Sequence, residues 1–131
     1  MTKPAAKQGD QIVATDIHIV MIPTPGGPVP TPLPHPFAGQ LDSALSADVE
    51  IEGKPAAMQG SKASNSPQHV PMGGTFQTPP KNQAEVLLGS ATVLINGKPA
   101  ARTGDMALTC NNPADLPVGQ VVAVSTVLIG G

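Results

Sequence analysis

Apolar residues along this chain come in short runs and never keep a 3.6-residue period over several turns. The runs are Gln11 to Ala14, Ile17 to Ile22, Val49 to Ile51, Glu85 to Leu88, Thr92 to Ile95 and Gln120 to Ile129, rich in valine and isoleucine. Clusters of Pro, Gly, Asn and Asp separate them, which is the alternation of strands and turns. The pattern predicts an all-β protein with little helix. Asn96-Gly97, between Val93-Leu94-Ile95 and Lys98, carries the signal of a type I′ hairpin. Pro23 to Gly39 reads as a long extended arm of polyproline character.

A repeat runs through these elements. Lys-Pro-Ala-Ala occurs at Lys3 to Ala6, Lys54 to Ala57 and Lys98 to Ala101, each followed by a glycine (Gly9, Gly60, Gly104). Asp10 and Asp105 follow two of those glycines and Ser61 follows the third. Their shared position predicts turn capping rather than a catalytic carboxylate pair. Val49-Glu50-Ile51-Glu52-Gly53 precedes the second copy and Val93-Leu94-Ile95-Asn96-Gly97 the third, while Val127-Leu128-Ile129-Gly130-Gly131 stands at the far end of the sequence with no copy after it. Placing Gly131 next to Lys3 completes a third unit. Three pseudo-equivalent units around an axis are therefore expected, each burying its apolar face against its neighbours.

Composition makes a staple desirable. The 131 residues hold sixteen prolines and fourteen glycines, but only two phenylalanines and no tyrosine or tryptophan, so little large aromatic surface is available for a core. One domain covering 1–131 is expected from the length. A lone cysteine cannot close an internal disulfide, which leaves metal binding, oligomerisation or docking on a partner.

The nitrogen and sulfur ligands add up to one four-coordinate site: His18, His35, His69 and Cys110. His18 and His69 each stand fifteen residues after their motif lysine and Cys110 stands twelve after its own, so threefold symmetry directs all three towards one axis. His35 lies between Pro34 and Pro36, where the backbone is already stiff. Imidazole and thiolate together favour a single structural zinc over magnesium or calcium. A site consuming every histidine leaves no base for a serine or cysteine nucleophile, so an enzyme is not expected.

Net charge is −2 with no basic run, which argues against a nucleic-acid or anionic-membrane surface. The first residues lack the apolar stretch of a signal peptide, and Val121 to Ile129 is too short for a membrane-spanning helix, so synthesis in the cytoplasm is expected.

With Pro99-Ala100-Ala101-Arg102 intact and Lys7 and Met58 in place of the arginine in the other copies, the chain resembles the PAAR-repeat proteins. That resemblance implies a small β cone with zinc near its apex, capping a trimeric spike in a contractile injection machine, with one tip per trimer. Such machines include type VI secretion systems, extracellular injection particles and phage tails. The tip would help to pierce a target membrane, and an adaptor that carries effector or toxin cargo is the alternative. In either case the protein would be assembled on the particle and delivered outside the cell on contraction.

Overall fold

The computed structural model describes residues 2–131, and no helix occurs among them. Three short hairpins carry the motif. Glu50–Ile51 (β4) pairs with Lys54–Pro55 (β5), and Leu94–Ile95 (β9) pairs with Lys98–Pro99 (β10). The third hairpin is assembled from the two ends of the sequence: Lys3–Pro4 (β1) pairs with Leu128–Ile129 (β13). In each, the motif lysine faces the isoleucine, as Lys54 with Ile51, Lys98 with Ile95 and Lys3 with Ile129. Glu52-Gly53 and Asn96-Gly97 both have positive φ at each residue, the type I′ geometry anticipated for the asparagine-glycine pair.

The longer strands form a closed ring. Gln11–Ile22 (β2) pairs with Val29–Ser43 (β3), β3 with Lys62–Asn65 (β6), β6 with Gln83–Val86 (β8), β8 with Met106–Thr109 (β11), β11 with Leu116–Val122 (β12), and β12 returns to β2. Each unit contributes two strands. Closure removes the sheet edges that an open arrangement of such short strands would leave unpaired. Ile12, Ala63 and Ala107, at equivalent positions of the three units, all point into the barrel and are fully buried.

β2 and β3 are far longer than the others, and their ladder continues beyond the barrel to the pair Ile22 and Val29, where Thr75–Phe76 (β7) joins β2. The expected polyproline arm over Pro23 to Gly39 is here mostly strand. Pro30, Pro32, Pro34 and Pro36 occupy alternate positions, so a continuous ladder to β2 requires their nitrogens to face the other way. That outer edge therefore lacks donors. Its next N–H, at Ala38, is capped by Asn65 Oδ1 at 3.0 Å, and the edge cannot template a further strand.

At the axis the motif backbones bond in a cycle. Ala6 N–H donates to Ala101 O (3.0 Å), Ala101 N–H to Ala57 O (3.1 Å), and Ala57 N–H to Ala6 O (3.0 Å). Gln8, Gln59 and Thr103 repeat the cycle one layer out, donating to the carbonyls of Pro55, Pro99 and Pro4 at 2.8 to 2.9 Å. The six motif alanines are completely buried. Only a methyl side chain permits three backbones to approach this closely, which gives the repeat its physical meaning. Ala5, Ala56 and Ala100 pack with Ile51, Ile95 and Ile129, and Ala6, Ala57 and Ala101 pack into the barrel core with Ile12, Phe37, Leu41 and Cys110. The hairpins and Cys110 thus lie on opposite sides of the alanine layers.

The turn after each motif is tied by the expected side chain. Asp10 Oδ2 accepts from Lys7 N–H (3.0 Å), Ser61 Oγ from Met58 N–H (3.0 Å) and Asp105 Oδ2 from Arg102 N–H (2.7 Å). Gly9, Gly60 and Gly104 hold φ between +85° and +91° in those turns. Ser46 and Ser90, each three residues before its valine, accept from Val49 and Val93 N–H at 2.9 and 3.0 Å; the third unit has Val124 at that place, and Ser125, one position later, accepts from Val127 N–H at 2.9 Å.

Candidate metal centre

From Asp16 to Val20, β2 alternates buried and partly buried positions, and Asp16 and His18 share its inward face. β3 places His35 directly across from Asp16. His69 follows β6 and Cys110 follows β11 immediately, so one strand from each unit delivers a ligand to the axis. Donor atoms of Asp16, His18, His69 and Cys110 lie within 4.8 Å of one another. The His35 ring centroid is 5.5 Å from that of His18 and 5.4 Å from that of His69. Three of the four residues expected as ligands therefore converge closely, and the fourth stands beside them. Asp16 was not anticipated; its place two residues before His18 in an alternating strand is the signal for it.

Outer contacts fix the rings. His18 Nδ1 is 2.9 Å from Asn112 Oδ1, an oxygen that also accepts from Ile19 N–H, so Nδ1 carries the proton and Nε2 is left bare, 3.7 Å from Cys110 Sγ. His35 Nδ1 donates to Leu33 O at 2.9 Å. Its Nε2 is buried and has no hydrogen-bond partner, alone in this among the buried side-chain nitrogens and oxygens of the described residues. An orphaned imidazole nitrogen facing other soft donors fits a metal ligand, since a buried polar atom otherwise costs about 1–3 kcal/mol. His69 is held through its N–H on Asn82 Oδ1 (2.8 Å), and its Nε2 lies 3.0 Å from Asp16 Oδ2.

Asp16 is fully buried and accepts from three directions. Thr109 Oγ donates to Oδ1 at 2.6 Å, while His69 Nε2 and Cys110 Sγ, at 3.0 and 3.4 Å, address Oδ2. Asn111 anchors this group, donating to Thr109 Oγ at 3.1 Å and accepting from Ile17 N–H at 2.6 Å. Burial, with the Asp16 charge beside it, pushes the Cys110 thiol up to about 11. Phe76 stands against His18 and His35, with centroids 5.9 and 5.4 Å away, and Phe37 is 6.1 Å from His69; both phenylalanines of the chain shield the cluster. A cavity of about 530 Å³ reaches His18 and Cys110 between Pro80 and Pro113 and offers an entry path for an ion.

The donor set, imidazoles with one thiol and a carboxylate in a buried cluster, suits a borderline-soft cation such as zinc. A bound ion would hold the three units together at the end remote from the hairpins.

No curated protein matches this chain. The family model of the PAAR motif matches residues 77–131, the stretch containing the third motif copy, Cys110 and the closing strand β13. The other two copies occupy equivalent places in the same cyclic hydrogen-bond network. Residues 77–131 therefore carry a PAAR motif, the stretch in which Pro-Ala-Ala-Arg stands intact at Pro99 to Arg102.

Proposed function

We propose that this protein is the structural tip of a trimeric spike in a contractile injection machine, one chain per trimer, with one zinc held by His18, His35, His69 and Cys110 near the sharp end. The observation that carries the reading is the threefold apolar face on the hairpin side. Val49, Val93 and Val127 occupy equivalent positions and each is more than a third exposed, and Leu94 and Leu128 beside them are 61% and 56% exposed. A single chain with internal threefold symmetry can match each subunit of a trimer with one of its own units, and contact there covers apolar surface that water otherwise meets.

The role is mechanical. Zinc bound by protein ligands alone acts as a staple, and binding free energy at such a site is also folding free energy, which suits a part that enters a membrane first. No helix among the described residues is long and apolar enough to cross a membrane. Effector cargo on the same tip is the second reading; the exposed Val70 and Met72, 68% and 70% accessible beside the His35 and His69 flank, favour it as a contact area away from the hairpins. Substituting Val93→Asp and Val127→Asp should abolish co-purification with a trimeric spike protein that the wild-type chain captures, while leaving zinc content unchanged. Undiminished spike binding by this double variant would overturn the assignment of the docking face.

A further inference from the structure

We propose that the motif lysines Lys3, Lys54 and Lys98 form a threefold ring of cations, each engaging a carboxylate on one subunit of a trimeric partner. The inference rests on the reading of the hairpin side as a spike-docking face and names the chemistry that such a face selects. The three lysines stand on the hairpin strands β1, β5 and β10, with Lys54 and Lys98 exposed and Lys3 half-buried. Each reaches across to the turn of a neighbouring unit in the same way. Nζ of Lys54 lies 4.0 Å from where a Cβ on Gly9 would stand, and Nζ of Lys98 and of Lys3 lie 3.9 Å from the same point on Gly60 and Gly104. One ammonium therefore stands at each of the three joints between units.

Their charge is uncompensated. Of the seven lysines and arginines, Lys7, Lys81 and Arg102 are in ion pairs, whereas Lys3, Lys54 and Lys98 have no carboxylate partner among the described residues. Only Lys62, on β6, shares that condition. The acids of the hairpin side do not follow the symmetry. Asp48, Glu50 and Glu52 all belong to the second unit, and Thr92, Leu94 and Asn96 stand at the corresponding places of the third. Asp48 is already held by Asn96 Nδ2 at 2.8 Å, and Glu52 lies 3.9 Å from Lys7. A homotrimer repeats whatever group it presents, so only the repeated part of the tip's charge meets all three subunits alike. That part is positive, and a protein answers it with Asp, Glu or a chain-terminal carboxylate. Lysine suits the task because its flexible stem carries a point charge to the edge of an apolar contact, where charge acts chiefly on association rate and register.

The test measures association of the full-length chain with a trimeric spike protein from the same source, by surface plasmon resonance at rising ionic strength. The variants are K3Q/K54Q/K98Q, K3R/K54R/K98R and K62Q, each checked for fold by circular dichroism. At low salt the wild type should associate about tenfold faster than the triple glutamine variant, and salt should erase that advantage by screening. The triple arginine variant should keep the advantage. K62Q should leave it untouched, because Lys62 pairs in register with Glu85 on the barrel, away from the hairpins. If the triple glutamine variant does not fold, K54Q/K98Q decides, since it changes only exposed side chains; it should slow association in the same direction by a smaller factor. A triple glutamine variant that associates at the wild-type rate, or a wild-type rate indifferent to salt, overturns the proposal and leaves the docking face standing. Binding to phosphatidylglycerol vesicles that the triple variant loses, with spike association unchanged, overturns it in favour of a lipid phosphate. A wild-type chain that does not bind the trimer at all would instead overturn the docking reading itself.

Discussion

Lys3 lies opposite Ile129 in the same register that sets Lys54 opposite Ile51 and Lys98 opposite Ile95. Two of these pairs are joined by two-residue turns, and the third is made by residues 126 positions apart in sequence. The hairpin therefore does not depend on a continuous chain; its site on the ring decides it. A permutant that links Gly131 to Lys3 directly and opens the chain between Gly53 and Lys54 should fold, bind zinc and melt within a few degrees of the parent. Truncation after Gly119 removes β13 and all of β12's pairing with β2, and it should yield insoluble, metal-free protein. A soluble, zinc-loaded truncation would contradict the closed ring.

The alanine layers predict a sharp size limit. Ala6, Ala57 and Ala101 are fully buried around the cyclic hydrogen bonds. Ala57→Leu should cost upwards of about 1–3 kcal/mol by overpacking, read as a lower denaturation midpoint, whereas Ala→Gly at the same position should cost less.

Arg102 and Asp105 form a buried ion pair at 3.0 Å, and Arg102 also donates to Gly130 O at 3.1 Å, fastening the closing strand. The second unit manages with the neutral Met58 and Ser61 in the same places. Removing one partner alone, as in Arg102→Met, should cost about 3–5 kcal/mol because a buried carboxylate is left behind. The double change R102M/D105S recreates the second unit's arrangement, and denaturant titration should find it less destabilised than R102M.

Cys110 supplies a pH signature. In metal-stripped protein the folded thiol ionises at about 11, above its ordinary value of 9.0. Below pH 9 both folded and unfolded chains keep the proton. Between 9 and 11 the unfolded chain releases it first, so the folded state binds more protons and stability falls as pH rises. Zinc reverses the preference by binding the thiolate, so loading should release a proton and the apparent affinity should weaken as pH falls. Proton release is measurable with an indicator dye in weak buffer, and Cys110→Ser should reduce it along with metal content and melting temperature.

Much of this was legible in the sequence because the repeat carries symmetry. Equal spacing from Lys3 and Lys54 was enough to bring His18 and His69 together, and the shared position of Asp10, Ser61 and Asp105 was enough to assign them one turn-capping job. Asp16 was not legible in that way. It belongs to one unit only, and its meaning depends on Thr109, His69 and Cys110 arriving from the others. The prolines of β3 misled for a related reason: a proline-rich stretch resembles a solvated arm until alternate spacing beside a partner strand is recognised as a ladder with one blunted edge. Ser46, Ser90 and Ser125 passed unnoticed because a serine capping a turn has no distinctive neighbour in sequence. The direction of the axis also required structure, since only packing shows that Ile51, Ile95 and Ile129 gather on the side of the alanines away from Cys110.

The central claim is that one chain supplies the threefold surface that a trimer needs. Native mass spectrometry of the complex between this protein and a trimeric spike protein from the same source tests that directly. One chain of this protein for three spike chains, with one zinc retained, is the predicted composition. Three tip chains per spike trimer, or a stable homotrimer of this chain that ignores the spike, would contradict the account.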